Sequence, residues 1–233
     1  MEKIFVIADY HIPFEDRETV KNVYKAMKSY KPDTIMLLGD MLDFFNISTF
    51  TKDKSNQDNI NEERDKVDAE FEKIRLICPK ANVYFINGNH EDRLEKYILD
   101  NAADLSTLPE LKLDKFLKLS DYKIKYVDER YFKYKGIMFS HMNKLLTSGT
   151  ARYMSKDLCC DVVHAHTHHF DYGMQRDLTF VDLGCLCELQ QPYLKKPSDF
   201  TQAFLAIELD ASRRTYKPVV IRDHHFSFEG KNY

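Results

Sequence analysis

The sequence predicts an α/β fold, and three observations carry the prediction. Residues 1–90 alternate short apolar runs with stretches of helical periodicity, the pattern of β-α-β units on a largely parallel sheet. Beyond residue 135 apolar runs dominate and helical periodicity is scarce, so strands should prevail there. Polar residues able to bind metal follow the apolar runs directly, and in open α/β sheets ligands collect at the carboxyl ends of strands. With 233 residues, one domain over 1–233 is the expected unit, large enough to bury a sizeable core.

The first strand is read over residues 4–8. Asp16 is placed to cap a helix whose apolar face is Val20, Val23, Tyr24 and Met27 and which ends near Pro32; a second strand follows over 34–38. A long second helix presents Ile60, Val67, Phe71, Ile74 and Ile77 and stops before Pro79, because the residue ahead of a proline avoids helical backbone; the third strand is 83–86. Residues 91 to about 120 read as helical and leucine-rich, and the stretch 91–135 is the candidate for a helical cap or insertion that shapes a substrate site. Later strands are expected at 137–140, 162–165, 180–183, 204–207 and 219–221.

A formal charge of −3 with mixed signs leaves no basic arm that would hold nucleic acid through phosphate contacts alone. The amino terminus, MEKIFVIADYH, lacks the length and flanks of a signal peptide, and no apolar run is long enough to span a membrane, so a soluble cytoplasmic protein without membrane contact is expected. Five cysteines, an odd number, fit reduced thiols better than a disulfide framework.

The chemistry sits at the strand ends. Asp9 and His11 (D-Y-H) follow the first strand, Gly39, Asp40 and Asp43 (G-D-M-L-D) the second, and Gly88, Asn89, His90 and Glu91 (G-N-H-E) the third. Ser140 and His141 close one later strand, and Ala165, His166, Thr167 and His168 close the next. Residues two apart point the same way, so Asp9 with His11, and His166 with His168, can each offer two ligands to one locus. Carboxylate, imidazole and amide oxygen together suit divalent ions: manganese is the first choice, with iron, zinc, nickel or magnesium as alternatives.

In order and spacing these motifs resemble the calcineurin-like metallophosphoesterase superfamily, whose pattern runs D-x-H, G-D-x-x-D, G-N-H-[DE], a lone His and G-H-x-H; Ala165 stands where the family usually has glycine. The resemblance implies a four-layer α/β/β/α sandwich of two mixed sheets with the site on one edge. It implies that Asp9, His11, Asp40 and His168 hold a first metal ion and Asp40, Asn89, His141 and His166 a second, with Asp40 bridging. It also implies catalysis by a hydroxide bridging the ions, with His90 stabilising phosphoryl oxygens or protonating the leaving oxygen and Asp43 orienting His90.

Other residues near the motifs read as structural. Glu91 is taken as a helix-start charge on a solvated loop, not a ligand. His164 and His169 are taken as structural neighbours of the paired histidines, and Tyr10, Phe44 and Phe45 as core or rim packing. Ser148 and Gly149, ahead of Thr150 and Ala151, read as a helix cap. Cys185 and Cys187 are expected to be buried neighbours on one face of a strand. Zinc binding is the less favoured alternative, since no second pair stands at zinc-site spacing.

Protein phosphatases of the superfamily carry an arginine directly after the second aspartate of G-D-x-x-D; Phe44 occupies that place here, which favours a phosphodiesterase acting on nucleotides, cyclic nucleotides or nucleic acid. A phosphomonoesterase is the alternative. A non-catalytic scaffold is disfavoured, because no metal ligand and no catalytic histidine is missing.

Overall fold

The computed structural model describes residues 1–49, 59–129, 131–141, 149–191, 194, 196–211 and 213–233. Strand β1 (Glu2–Ile7) pairs in parallel with β2 (Thr34–Leu38), which pairs in parallel with β3 (Asn82–Ile86). The crossovers are helices α1 (Arg17–Tyr30) and α2 (Ile60–Ile77). Asp16 caps α1 by accepting the Thr19 N–H, and Asn59 caps α2 in a reciprocal box with Glu62; such caps contribute about 1 kcal/mol each.

After β3 come α3 (Asp92–Ala102), 3-10 turns at Ala103–Thr107 and Pro109–Leu111, and α4 (Leu113–Phe116). Then β4 (Ile124–Val127) extends the first sheet beside β3, and β5 (Tyr131–Tyr134) forms an edge of the second. The stretch 91–135 is therefore helical only in its first part, and its last strands are built into both sheets.

Strand β6 (Ile137–Ser140), helix α5 (Thr150–Leu158) and strands β7 (Asp161–His168), β8 (Asp171–Gln175) and β9 (Leu178–Gly184) follow. The chain then returns as β10 (Gln202–Leu209) and β11 (Arg214–Ile221), which lie antiparallel on the open side of β1. A small hairpin, β12 (Ser227–Phe228) and β13 (Lys231–Asn232), ends the chain. The sheet orders are β11-β10-β1-β2-β3-β4 and β5-β6-β7-β9-β8.

Alternation along the strands fixes the layers. In β1, Phe5 and Ile7 join one core with Val23 and Met27 of α1 and Val67, Phe71 and Ile74 of α2. Ile4 and Val6 face the other way and meet Phe139, Val163, Val181 and Leu183 of the second sheet. Ala151 and Met154 of α5 cover the far face of that sheet through Val162 and Phe180. The result is the expected four-layer α/β/β/α sandwich of two mixed sheets. Each fully buried aliphatic or Phe side chain contributes about 1.5–3 kcal/mol over its exposed state, so strands buried on both faces need the continuous apolar runs seen in the sequence. Among the described residues no helix is long and apolar enough to cross a membrane.

Candidate metal centre

The loops after β1 and β2 run side by side: the Asp9 N–H donates to the Gly39 carbonyl (3.1 Å), His11 to Asp40 (3.0 Å) and Ile12 to Met41 (2.9 Å). This brings the D-x-H and G-D-x-x-D residues to one rim. Asp9, His11, Asp40, His166 and His168 all have positive φ, a backbone region that non-glycine residues enter at a cost of about 1–3 kcal/mol and that concentrates at functional sites. Gly39 also has positive φ, and a Cβ there would lie 2.7 Å from His141 Nδ1, so glycine alone permits that approach. A Cβ on Gly88 would run into the carboxylates of Asp40 and Glu91.

The sequence-predicted ligands converge. His11 Nε2 lies 3.0 Å from His168 Nε2, 3.7 Å from Asp9 Oδ1 and 3.6 Å from Asp40 Oδ2. Asp9 Oδ1 is 3.2 Å from His168 Nε2. On the other side, Asp40 Oδ2 is 3.2 Å from His141 Nε2, which is 3.3 Å from Asn89 Oδ1. Ligand atoms of Asp9, His11 and His168 lie within 4.8 Å of one another, as do those of Asp40, His141 and His166, and those of His11, Asp40 and His90. Asp40 Oδ2 thus stands between two imidazole sets.

His166 and His168 do not share one locus, contrary to simple strand alternation. The pairing of β7 with β9 shifts register between His164 and His168, and this irregularity turns His166 toward Asp40 and His141 while His168 faces Asp9 and His11.

Tautomers follow from partners that only accept. His141 Nδ1 donates to the Leu38 carbonyl (2.6 Å), which leaves Nε2 for the site. Asp43 Oδ2 lies 3.2 Å from His11 Nδ1 and 3.5 Å from His90 Nδ1, so its carboxylate serves His11 first; His90 Nδ1 instead donates to the Asp43 backbone carbonyl at 2.8 Å.

Burial alone would raise the Asp9 carboxyl, yet the neighbouring His168, His141 and His11 rings hold it far below its usual range. Burial likewise opposes ionisation of Asp40, but His141, His90 and His11 pull it well down. Burial disfavours a charged His141, and Asp40 and Asp9 overcome this and hold it at about 9. Burial pushes His90 and His166 down to about 4. The residues fit a divalent cation: Asp9 Oδ1 is buried without a hydrogen-bond partner among the described residues, and two imidazole Nε2 atoms face each other beside two carboxylates.

Two residues escaped the sequence reading. Glu91 is not a solvated helix-start charge: it is buried, and its carboxylate accepts the N–H groups of Asp40 (2.8 Å), Met41 (2.8 Å), Leu42 (3.3 Å) and Gly88 (3.0 Å). Its side chain clasps the second and third motif loops, and burial raises its carboxyl to about 7. Arg93 places Nη1 2.6 Å from the Asp43 carbonyl and Nη2 3.0 Å from His90 Nε2. Its position three residues past His90, one helical turn on, was the available signal.

The remaining neighbours are structural. Tyr10, Phe44 and Phe45 are buried. His164 bonds Asp182 (3.0 Å) and His169 bonds Asp199 (2.9 Å). Ser148 lies outside the described residues, while Gly149 takes positive φ ahead of α5. Cys185 and Cys187 are buried, but just past the end of β9.

The gene 54 protein of Mycobacterium phage D29 is 26% identical over 251 residues, covering 98% of this chain and 97% of that protein. Its counterpart in Mycobacterium phage L5 is 25% identical, covering 99% and 98%. Among solved structures, a single mutant of Vps29 from Entamoeba histolytica superposes with a TM-score of 0.53 at 13% identity over 99% of both chains, a likeness of fold. The sequence model of the calcineurin-like phosphoesterase family matches residues 2–191, and with the motif order and the sandwich it shows that this chain belongs to the calcineurin-like phosphoesterase family.

Proposed function

We propose that the chain is a dinuclear-metal phosphoesterase, with Asp9, His11, Asp40 and His168 holding one divalent ion and Asp40, Asn89, His141 and His166 the other. The observation that carries this reading is the place of Asp40 Oδ2 between His11 Nε2 at 3.6 Å and His141 Nε2 at 3.2 Å, the position of a bridging carboxylate. Manganese is the ion to try first. Bound there, a pair of ions supplies Lewis acidity toward a phosphoryl group and lowers the pKa of water.

The protein's own part is to bind and orient. His90 Nδ1 donates to a carbonyl, so the neutral ring offers a lone pair at Nε2, which accepts from Arg93 Nη2. Arg93, fixed also by the Asp43 carbonyl, is then the fixed cation beside the site, able to donate to phosphoryl oxygens. His90 positions it. Proton donation by His90 to a leaving oxygen requires Arg93 to release Nε2 and the ring to take a second proton, which burial opposes.

A phosphodiester of a nucleotide, cyclic nucleotide or nucleic acid is the favoured substrate class. The monoester reading is the second, and one observation favours it: although Phe44 follows Asp43 in sequence, Arg93 brings a guanidinium to Asp43 in space. The complete ligand set argues against a non-catalytic scaffold. Hydrolysis of bis-p-nitrophenyl phosphate against p-nitrophenyl phosphate by metal-stripped protein reloaded with manganese tests all three. A metal-dependent diester preference is expected, a monoester preference moves the reading to a phosphatase, and no turnover with any divalent metal overturns it.

A further inference from the structure

We propose that His168, Cys185 and Cys187 form a separate thiol-based metal site, taking a thiophilic cation such as Zn2+ or Cd2+, back to back with the phosphoesterase centre. The backbone presents the two sulfurs. Beyond β9, Gly184 packs so tightly that a Cβ would strike the Thr201 carbonyl, and Cys185 N–H then donates to that carbonyl at 2.9 Å. Leu186 N–H donates to the Asp9 carbonyl at 3.0 Å. Pinned on both sides, the segment sends Leu186 into the helix-side core and leaves the sulfurs of Cys185 and Cys187 within 4.8 Å of each other.

Both cysteines are fully buried, and a ring nitrogen of His168 and the two sulfurs lie within 4.8 Å of one another. Zinc–sulfur bonds of about 2.3 Å put two ligand sulfurs about 3.8 Å apart on a tetrahedral ion, so a contraction of less than about an ångström closes the site. The second observation is an orphan. His168 is 7% exposed, its Nε2 is turned to Asp9 and His11, and its Nδ1 is buried without a hydrogen-bond partner among the described residues. A metal-bound histidine ordinarily gives its other nitrogen an acceptor. The two thiols within reach of the His168 ring are a soft donor pair that with imidazole selects zinc-like ions over manganese or magnesium. Binding releases the two thiol protons to water and, where Nε2 already holds an ion, the His168 Nδ1 proton as well, leaving a bridging imidazolate. The proposal shares His168 with the phosphoesterase reading and rests on it for the role of Nε2.

The test is a cadmium titration of manganese-loaded protein carrying Cys78→Ala, Cys159→Ala and Cys160→Ala, read as the ultraviolet thiolate-to-cadmium charge-transfer band. In that background only Cys185 and Cys187 can give the band. It should saturate at one equivalent and vanish on adding Cys185→Ala or Cys187→Ala, with circular dichroism confirming that each variant folds. No band in the background variant or in the unaltered chain overturns the site, as does a band that survives both further substitutions. A band without phosphoester hydrolysis would leave this site standing and remove the catalytic reading instead.

Discussion

The two sheets bring unlike chemistry to the same rim. The first sheet supplies both carboxylates, Asp9 and Asp40, together with His11, Asn89, His90 and the supporting Asp43 and Glu91. The second supplies imidazoles only: His141 after β6, and His166 and His168 in β7. Negative charge and its bracing therefore belong to one layer. The other layer closes the site with neutral-capable donors, so the centre exists only where the two layers meet.

That contrast can be broken most sharply at its shared atom. Asp40→Asn should lower turnover by about 10³-fold or more, since the proposed reading has this carboxylate support both ions, and metal analysis should find binding impaired at both positions. His141→Ala, on the second sheet, should impair only one; equal losses in the two variants would sink the division of labour. Next come the groups proposed to face substrate. Arg93→Ala should reduce turnover by about 10²–10³-fold with metal content kept, the size expected for removing a fixed donor to a charged oxygen. His90→Ala should do likewise, and near-additive losses in the double variant would contradict a role for His90 through Arg93.

Smaller effects test the bracing. Asp43→Asn leaves His11 Nδ1 a poorer partner and should weaken metal affinity by about 10–100-fold, measured by chelator competition. In metal-stripped protein, His141 is held at about 9, above its ordinary 6.5. Its pairing stabilises the fold fully below pH 6.5 and is lost as pH rises through 9. The raised Glu91 carboxyl, at about 7, acts in the same direction across its own lower range. Melting temperature of the stripped protein should therefore fall from pH 6.5 to 9.5, by a few degrees, while manganese-loaded protein stays level or gains.

Much of this was legible in the residues. The strands buried on both faces, such as β1 and β2, announce themselves as unbroken apolar runs, and Asp16 with Pro32 bounded α1 correctly. Strands β4, β5 and β8 were not foreseen, because edge strands with exposed or half-buried residues leave little apolar signal. The candidate ligands could be named because metal chemistry demands particular residue types at strand ends. The helical spacing of Arg93 from His90 hinted at its place, but the contacts that tie Arg93 and Glu91 to the second motif loop, the Asp43 carbonyl and the Asp40, Met41 and Leu42 amides, are about fifty positions away and are backbone groups that every residue carries.

The Glu91 clasp bears on how the centre handles its cargo. Four amide hydrogens gathered on one carboxylate tie the loops that carry Asp40 and Asn89 before any ion arrives. The entropy of ordering those loops is lost during folding and is not charged again on each binding event. A socket tied in this way would take up a divalent ion with little further ordering of its loops.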